Sequence, residues 1–267
     1  MPIELKFKPK HISEHKFKEI DFQIMGISFE IQNQMGRYWN EKIYQEELAY
    51  RCQKAGFDKV ETGTPIIVSF KDFKKEYFLD LLVNDSIIYE LKVVENLTAR
   101  HKNQTLNYLF LCGLSHGKLI TLRPASVKSE FISTKITTEK RFNFTIEDIA
   151  WENLNDDCAF LKQLFVDLLF EWGTFLDINL YYEAVNYFRG GEEKVVQKIN
   201  VINGTRTIGK QKVHLLNNFI AFKISSILKH QHKYEQQLHK FLCFTHLKAI
   251  QWINIKRDHI SFKTISR

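Results

Sequence analysis

Three charged residues stand inside strongly apolar runs. Asp80 lies in YFLDLLV, and Glu90 and Lys92 lie in IIYELKVV. Glu90 and Lys92 are two residues apart, so on a strand both side chains project from one face. Asp80, on the preceding strand of a hairpin, can point to that face too. Burying two carboxylates and an ammonium among Ile, Leu and Val costs several kcal/mol unless something compensates them. A divalent cation does so, and two hard oxygen ligands suit Mg²⁺ or Mn²⁺, which keep waters and bind phosphate oxygens. A lysine beside them could orient or activate an attacking water and stabilise charge on a phosphorane-like transition state. The other reading of Glu90 and Lys92 is a solvent-facing ion pair on an amphipathic strand. The neighbours Tyr89, Leu91 and Val93 are apolar as well, so both faces of that strand can be covered.

The elements around these residues follow from periodicity. The stretch to about residue 20 is basic and weakly periodic, an arm or a short strand. Phe22, Ile24, Met25, Phe29 and Ile31 space a helix over 21–35 that stops at Gly36. Ile43, Tyr44, Glu47, Leu48 and Cys52 space a second over 39–55 with Gly56 behind it. β-Branched and aromatic runs at 65–70, 76–83 and 87–94, separated by Lys71-Asp72 and Asn84-Asp85, predict three strands. Helical spacing returns over 97–113, then strands at 118–122 and 129–133. The order then repeats, with helices at 160–172 and 176–188 and strands at 195–202, 212–216 and 219–224. A helix at 234–245 and strands at 248–255 and 259–265 follow. Both halves read ααβββαββ, which makes an α/β protein of two units, 1–146 and 147–267.

The composition is that of a globular chain, 44% apolar and 26% charged with 11 Gly and 4 Pro over 267 residues. No apolar run reaches the roughly 20 residues that span a bilayer. The start lacks an apolar h-region and a small-residue cleavage site, so no secretory signal is expected. The four cysteines are scattered, which fits reduced thiols and a cytoplasmic protein rather than a disulfide framework or zinc site. No G-K-[ST] cradle argues for ATP use. Charge is unevenly spread: residues 147–193 carry 2 Lys/Arg against 11 Asp/Glu, and residues 194–267 carry 14 against 2. A concentrated basic block is the footprint of a phosphate-backbone binder.

The constellation Asp80, Glu90-Leu91-Lys92, then a helix with Gln104-x-x-x-Tyr108, resembles the PD-(D/E)XK superfamily of metal-dependent nucleases. FEIQNQMGRYWNEKIYQEEL upstream looks like its GxxExxY proteins. The G-x-x-E-x-x-Y signature falls on residues 38–44, with Tyr38 in place of its glycine; Leu79 replaces the usual proline before Asp80. The resemblance covers about 26–133. It implies that Asp80 and Glu90 are metal ligands with the Leu91 carbonyl, that Lys92 is the catalytic lysine, and that Glu41 is an auxiliary acid. Gln104 and Tyr108 would touch substrate phosphate or fix Lys92. The implied cofactor is Mg²⁺ or Mn²⁺.

The second half echoes the first. GRYWNEKIYQEELAY (36–50) lies without gaps over GTFLDINLYYEAVNY (173–187), matching Gly36 with Gly173, Tyr44 with Tyr181, Glu46 with Glu183 and Tyr50 with Tyr187. On an offset of 132 further on, Glu90 falls on Phe222, Lys92 on Ile224 and Asp80 on Lys212. The expectation is an internal pseudo-dimer, one active domain and one degenerate copy. In that copy Lys212, Lys223, Lys233, Lys240, Lys256 and Arg257 would hold nucleic acid, DNA before RNA. The chain would act as a Mg²⁺-dependent deoxyribonuclease with one active centre, as a monomer or a homodimer. The alternative is a catalytically silent nucleic-acid- or partner-binding protein on the same fold.

Overall fold

The basic N-terminal stretch folds further than its charge suggests. In the computed structural model, which describes residues 2–267 and all their side chains except those of residues 148 and 149, Ser13 caps a helix by accepting a hydrogen bond from the Lys16 amide at 3.2 Å. That helix, α1 (Glu14–Met35), starts at Glu14 rather than residue 21. Its buried face is Phe17, Ile20, Ile24 and Ile31, while Phe22 is 83% exposed. The apolar stripe is therefore rotated from the one the sequence pattern drew. Gly36 ends α1 at φ +78°, where a side chain would be strained, and its carbonyl accepts the Tyr44 hydroxyl at 2.8 Å.

Two compact units result. The first runs up to Ser69 and resumes over Lys74–Thr138; the second comprises Phe70–Phe73 and Glu139–Arg267. The first holds β1 (Ile3–Leu5), α1, α2 (Glu41–Lys54), β2 (Val60–Phe70), β3 (Phe73–Val83), β4 (Ile87–Lys92), α3 (Ala99–Cys112), β5 (His116–Thr121) and β6 (Lys128–Ser133). Its sheet runs β1-β2-β3-β4-β5-β6, antiparallel except for β4 and β5, which are parallel and joined through α3. One face of β4 (Ile87, Tyr89, Leu91) packs with α1 and α2 residues in the core; Ile88, Glu90 and Lys92 point the other way. Gly117 permits the crossover to lie close, since a Cβ there would meet the Ile88 carbonyl at 3.0 Å and Thr105 and Leu109 at 3.4 Å.

A short helix, α4 (Thr138–Phe142), and a strand, β7 (Thr145–Ala150), follow; the sequence pattern showed neither. The second unit continues with α5 (Asp156–Trp172), α6 (Ile178–Phe188), α7 (Glu192–Val195), β8 (Val196–Asn203), β9 (Arg206–Asn217), β10 (Ile220–Ser225), α8 (Gln231–Cys243), β11 (Ala249–Lys256) and β12 (His259–Ser266). Its sheet runs β7-β12-β11-β10-β9-β8, again with one central parallel pair, β10 and β11. The leading strand lies at opposite edges in the two sheets, beside β2 in the first and parallel to β12 in the second. Among the described residues the fold is thus two six-stranded mixed sheets with eight helices. No helix among them is long and apolar enough to cross a membrane.

One half-buried group makes the second unit sensitive to acid. His214 on β9 lies against Tyr182 with ring centroids 4.3 Å apart, and its Nδ1 is 3.2 Å from Asn186 Oδ1. Burial, then the charge of Lys223, pushes it down to about 4. The unfolded chain takes up this proton first, near pH 6.5, so His214 costs stability increasingly as pH falls from 6.5 to 4. Denaturation at pH 7, 5.5 and 4.5 should show this slope in the native chain and a flatter one in His214→Gln; equal slopes would refute it.

Candidate active site

β3 and β4 bring the three buried charges together. Their antiparallel register sets Leu81 against Tyr89, so Asp80 comes opposite Glu90 on the face that α3 covers. The Lys92 Nζ lies 2.8 Å from Glu90 Oε1, 3.6 Å from Asp80 Oδ2 and 3.5 Å from Glu41 Oε1. It also donates to the Leu91 carbonyl at 2.7 Å. Glu41 arrives from the first turn of α2, which Asn40 caps by accepting the Ile43 amide. Asp80 accepts the Leu91 amide at 2.8 Å on one oxygen and the Gln45 side-chain amide at 2.6 Å on the other. Gln45 is a site residue that the sequence reading missed. Its position one helical turn after Glu41 was the available signal.

Gln104 and Tyr108 sit on α3 and bond each other, Nε2 to Oη, at 3.0 Å. Burial, then the Glu90 charge, pushes the Tyr108 phenol up to about 12, so it stays a neutral donor beside the carboxylates. Neither residue hydrogen-bonds Lys92 among the described residues. His101 serves α3 instead, its Nδ1 accepting the Thr98 amide at 3.2 Å.

The cluster holds more negative charge than it neutralises. Burial raises Glu41 and Asp80 above the usual carboxylate range, and burial followed by Asp80 lifts Glu90 to about 8. Burial alone would depress the Lys92 ammonium, but Glu90 and Asp80 outweigh it and hold it above its ordinary value. Lys92 is therefore a fixed cation and donor. Glu90 is 1% exposed and its Oε2 is buried with no hydrogen-bond partner. An orphaned hard oxygen beside a surplus of carboxylate charge fits a divalent cation. Among the described residues no three His, Cys, Asp or Glu side chains already converge as a metal cluster. The Leu91 carbonyl and Glu90 Oε1 are engaged by Lys92, so a cation would have to displace the ammonium from at least one of them.

The second unit offers a like-for-like comparison of positions. Leu81 pairs with Tyr89 and His214 with Phe222; Ile88 pairs with Gly117 and Ala221 with Ile250; His116 pairs with Ser133 and Ala249 with Ser266. Over β3–β6, adding 133 to a residue number of the first unit gives the residue at the same place in the second ladder. The offset of 132 from the sequence was one residue out of phase, which in a strand exchanges the faces. At 133, Glu90 corresponds to Lys223, Asp80 to Val213 and Lys92 to Ser225. The braces correspond as well. The Thr121 hydroxyl donates to the Val94 carbonyl and accepts the Val94 amide, and Asn254 makes both bonds to Ile227. Gly173, at φ +74°, accepts the Tyr181 hydroxyl at 2.5 Å as Gly36 accepts that of Tyr44. The second unit therefore lacks both carboxylates at the matching places.

Lys212, Lys223, Lys233, Lys240, Lys256 and Arg257 are all exposed, but they spread over β9, β10, α8, the end of β11 and the β11–β12 turn. Lys212 and Lys223 project from opposite faces of the sheet, because Lys212 shares the side of His214 and Lys223 that of Ala221.

The family match falls on the first unit. The family model for the PD-(D/E)XK nuclease superfamily matches residues 18–134. Among curated proteins none matches the chain. Two chains among solved structures match. One, a crystal structure of SSO0001, is 20% identical over 45% of this chain and 58% of that one, with a TM-score of 0.28. The match thus spans little more than half of that chain, and at this TM-score it bears on neither fold nor activity.

Proposed function

We propose, from the premise that residues 18–134 are a PD-(D/E)XK nuclease superfamily domain, that this chain hydrolyses DNA phosphodiester bonds in a reaction dependent on Mg²⁺ or Mn²⁺. The observation that carries this reading is the buried Glu90 Oε2 without a partner, in a cluster of three carboxylates around one ammonium. Asp80, Glu90 and the Leu91 carbonyl would hold the cation. When bound it supplies Lewis-acid charge to a phosphoryl oxygen. Gln45 and the Leu91 amide fix the Asp80 carboxylate between them, so its direction is set before any ligand arrives. Lys92, held protonated by the carboxylates, donates to charge growing on the phosphoryl oxygens and does not act as a base. Tyr108, neutral and backed by Gln104, offers a second donor.

The second unit is read as a degenerate copy. The shared registers, the paired Thr121 and Asn254 braces and the two Gly–Tyr clasps support a common origin. One active centre per chain implies nicking, unless two chains associate. A catalytically silent binding protein is favoured by one observation, that Lys92 already engages the oxygens a metal would need.

Supercoiled plasmid and labelled single strands incubated with Mg²⁺, Mn²⁺ or EDTA separate the two. Metal-dependent nicking is expected. A chain that shifts DNA equally well in EDTA and cuts neither substrate with either metal would overturn the nuclease reading.

A further inference from the structure

Residues 194–234 contain eight Lys or Arg and no Asp or Glu. Half of these cations sit on one substructure, the ribbon of β8 and β9. The pairing of β9 with β10 ends at His214 and Phe222, whereas its pairing with β8 continues out to Asn203 and Arg206. Beyond His214 the two strands thus run on with no third strand beside them. Every residue from Arg206 to Lys212 is exposed. The tip is a two-residue turn, Gly204-Thr205, with Gly204 at φ +61° as a primed hairpin turn demands.

The Arg206–Lys212 side of this ribbon does little for the stability of the fold, whereas β8 is tied down by Ile199 and by the Ile202 amide on the Phe244 carbonyl at 2.7 Å. A two-stranded ribbon with little buried surface is marginal in water. Lys198 stands directly opposite Lys212, a like-charge pair that destabilises a ladder, and Asn200 stands opposite Lys210. Directly paired residues share a face, so Lys198, Lys210 and Lys212 form one cationic stripe, with Lys210 and Lys212 roughly 7 Å apart along the strand. The other face carries Ile199, Val201, Gly209 and Gln211, and Ile199 is buried in the core of the second unit. None of the three lysines has an acidic partner among the described residues.

We propose that the β8–β9 ribbon is a grip for duplex DNA, seated at the major groove with Lys198, Lys210 and Lys212 on backbone phosphates and Arg206 at the tip. The charge calls for a polyanion, and the shape selects duplex DNA. The B-form major groove, about 12 Å wide, admits a two-stranded ribbon, whereas that of A-form RNA is deep and narrow. Apart from Ile208, its other exposed residues are Asn, Gln, Thr and Gly, so the ribbon holds the backbone without demanding a sequence. The choice of nucleic acid as the polyanion rests on the nuclease reading of the first unit.

The test is fluorescence anisotropy of the full chain with a labelled 20-bp DNA duplex in EDTA, over a series of NaCl concentrations. Lys198→Gln/Lys210→Gln/Lys212→Gln should weaken binding about tenfold or more at 0.1 M salt and reduce the log–log salt slope by roughly 2–3. Lys6→Gln/Lys8→Gln/Lys10→Gln removes the same charge from the first unit and should move both far less. Unchanged melting of the ribbon variant shows that the fold survives, and Lys→Arg at the three sites should restore binding. Equal losses in the two triple variants, or no loss in the first, would overturn the grip. Equal losses on an RNA duplex of the same sequence would overturn the groove fit. Cleavage is not read, so a chain that grips DNA through the ribbon but never cuts it would overturn only the nuclease reading.

Discussion

Lys92→Ala should lower metal-dependent cleavage by about 10²–10³-fold, the usual cost of one preorganised donor to transition-state charge. The loss should fall on kcat, with KM nearly unchanged, because the ammonium is buried among Glu90, Asp80 and Glu41 and meets charge only where the reaction creates it. Its hydrogen bonds to Glu90 at 2.8 Å and to the Leu91 carbonyl at 2.7 Å set its position tightly. Arginine should not rescue, since a planar guanidinium cannot occupy the place of a compact ammonium with these acceptors. The same substitution strips the carboxylates of their counter-charge, so the variant should also melt lower, and more so at pH 8 than at pH 5.5, where the acids take up protons. Wild-type kcat in Lys92→Ala would remove the lysine from the chemistry and leave it a structural counter-ion.

The charged cluster was legible because Asp80, Glu90 and Lys92 interrupt runs that are otherwise apolar on both faces, and strand periodicity fixes which side they share. Gly36 was legible as a helix stop because it follows directly on the last periodic residue. What escaped depends on distance along the chain. Gln45 looks like any polar residue of a surface helix until the fold brings Asp80, 35 residues on, to 2.6 Å. Phe17 was hidden in EHKFKEI, where its charged neighbours mask the helical stripe that only Ile20 and Ile24 reveal. The slip between offsets of 132 and 133 has a physical origin too. FIAFKIS has apolar residues in both phases, Phe219 and Ala221 in one and Ile220, Phe222 and Ile224 in the other, so the ladder pairings are needed to decide which residue faces α8. β9 was foreshortened because Arg206–Lys212 is exposed on both faces and shows no apolar alternation.

Glu90→Gln should abolish cleavage and yet stabilise the protein at alkaline pH. Glutamine keeps the shape and a hydrogen-bonding carbonyl but removes a carboxylate that the fold holds at 1% exposure with one oxygen unpartnered. The sign follows from where the group titrates. Burial, then Asp80, lifts the folded-state pKa of Glu90 to about 8, against about 4.5 when exposed. The unfolded chain therefore gives up this proton first, and stability present below pH 4.5 is lost progressively as pH rises to 8. Glutamine removes that slope. Lys92 keeps Asp80, Glu41 and the Leu91 carbonyl as partners, so the variant strands no cation. At pH 8 its Tm should exceed that of the native chain by several degrees, at about 2–4 °C per kcal/mol for a chain of this size. Mg²⁺ should reverse the order, raising the Tm of the native protein by mass action and leaving Glu90→Gln unmoved. If Glu90→Gln instead melts lower at pH 8 without metal, the carboxylate supports the fold, and the orphaned oxygen is no argument for a cation. If it melts higher and is inactive, Glu90 is kept at a cost in stability for what it binds, the exchange of stability for activity expected of a catalytic ligand.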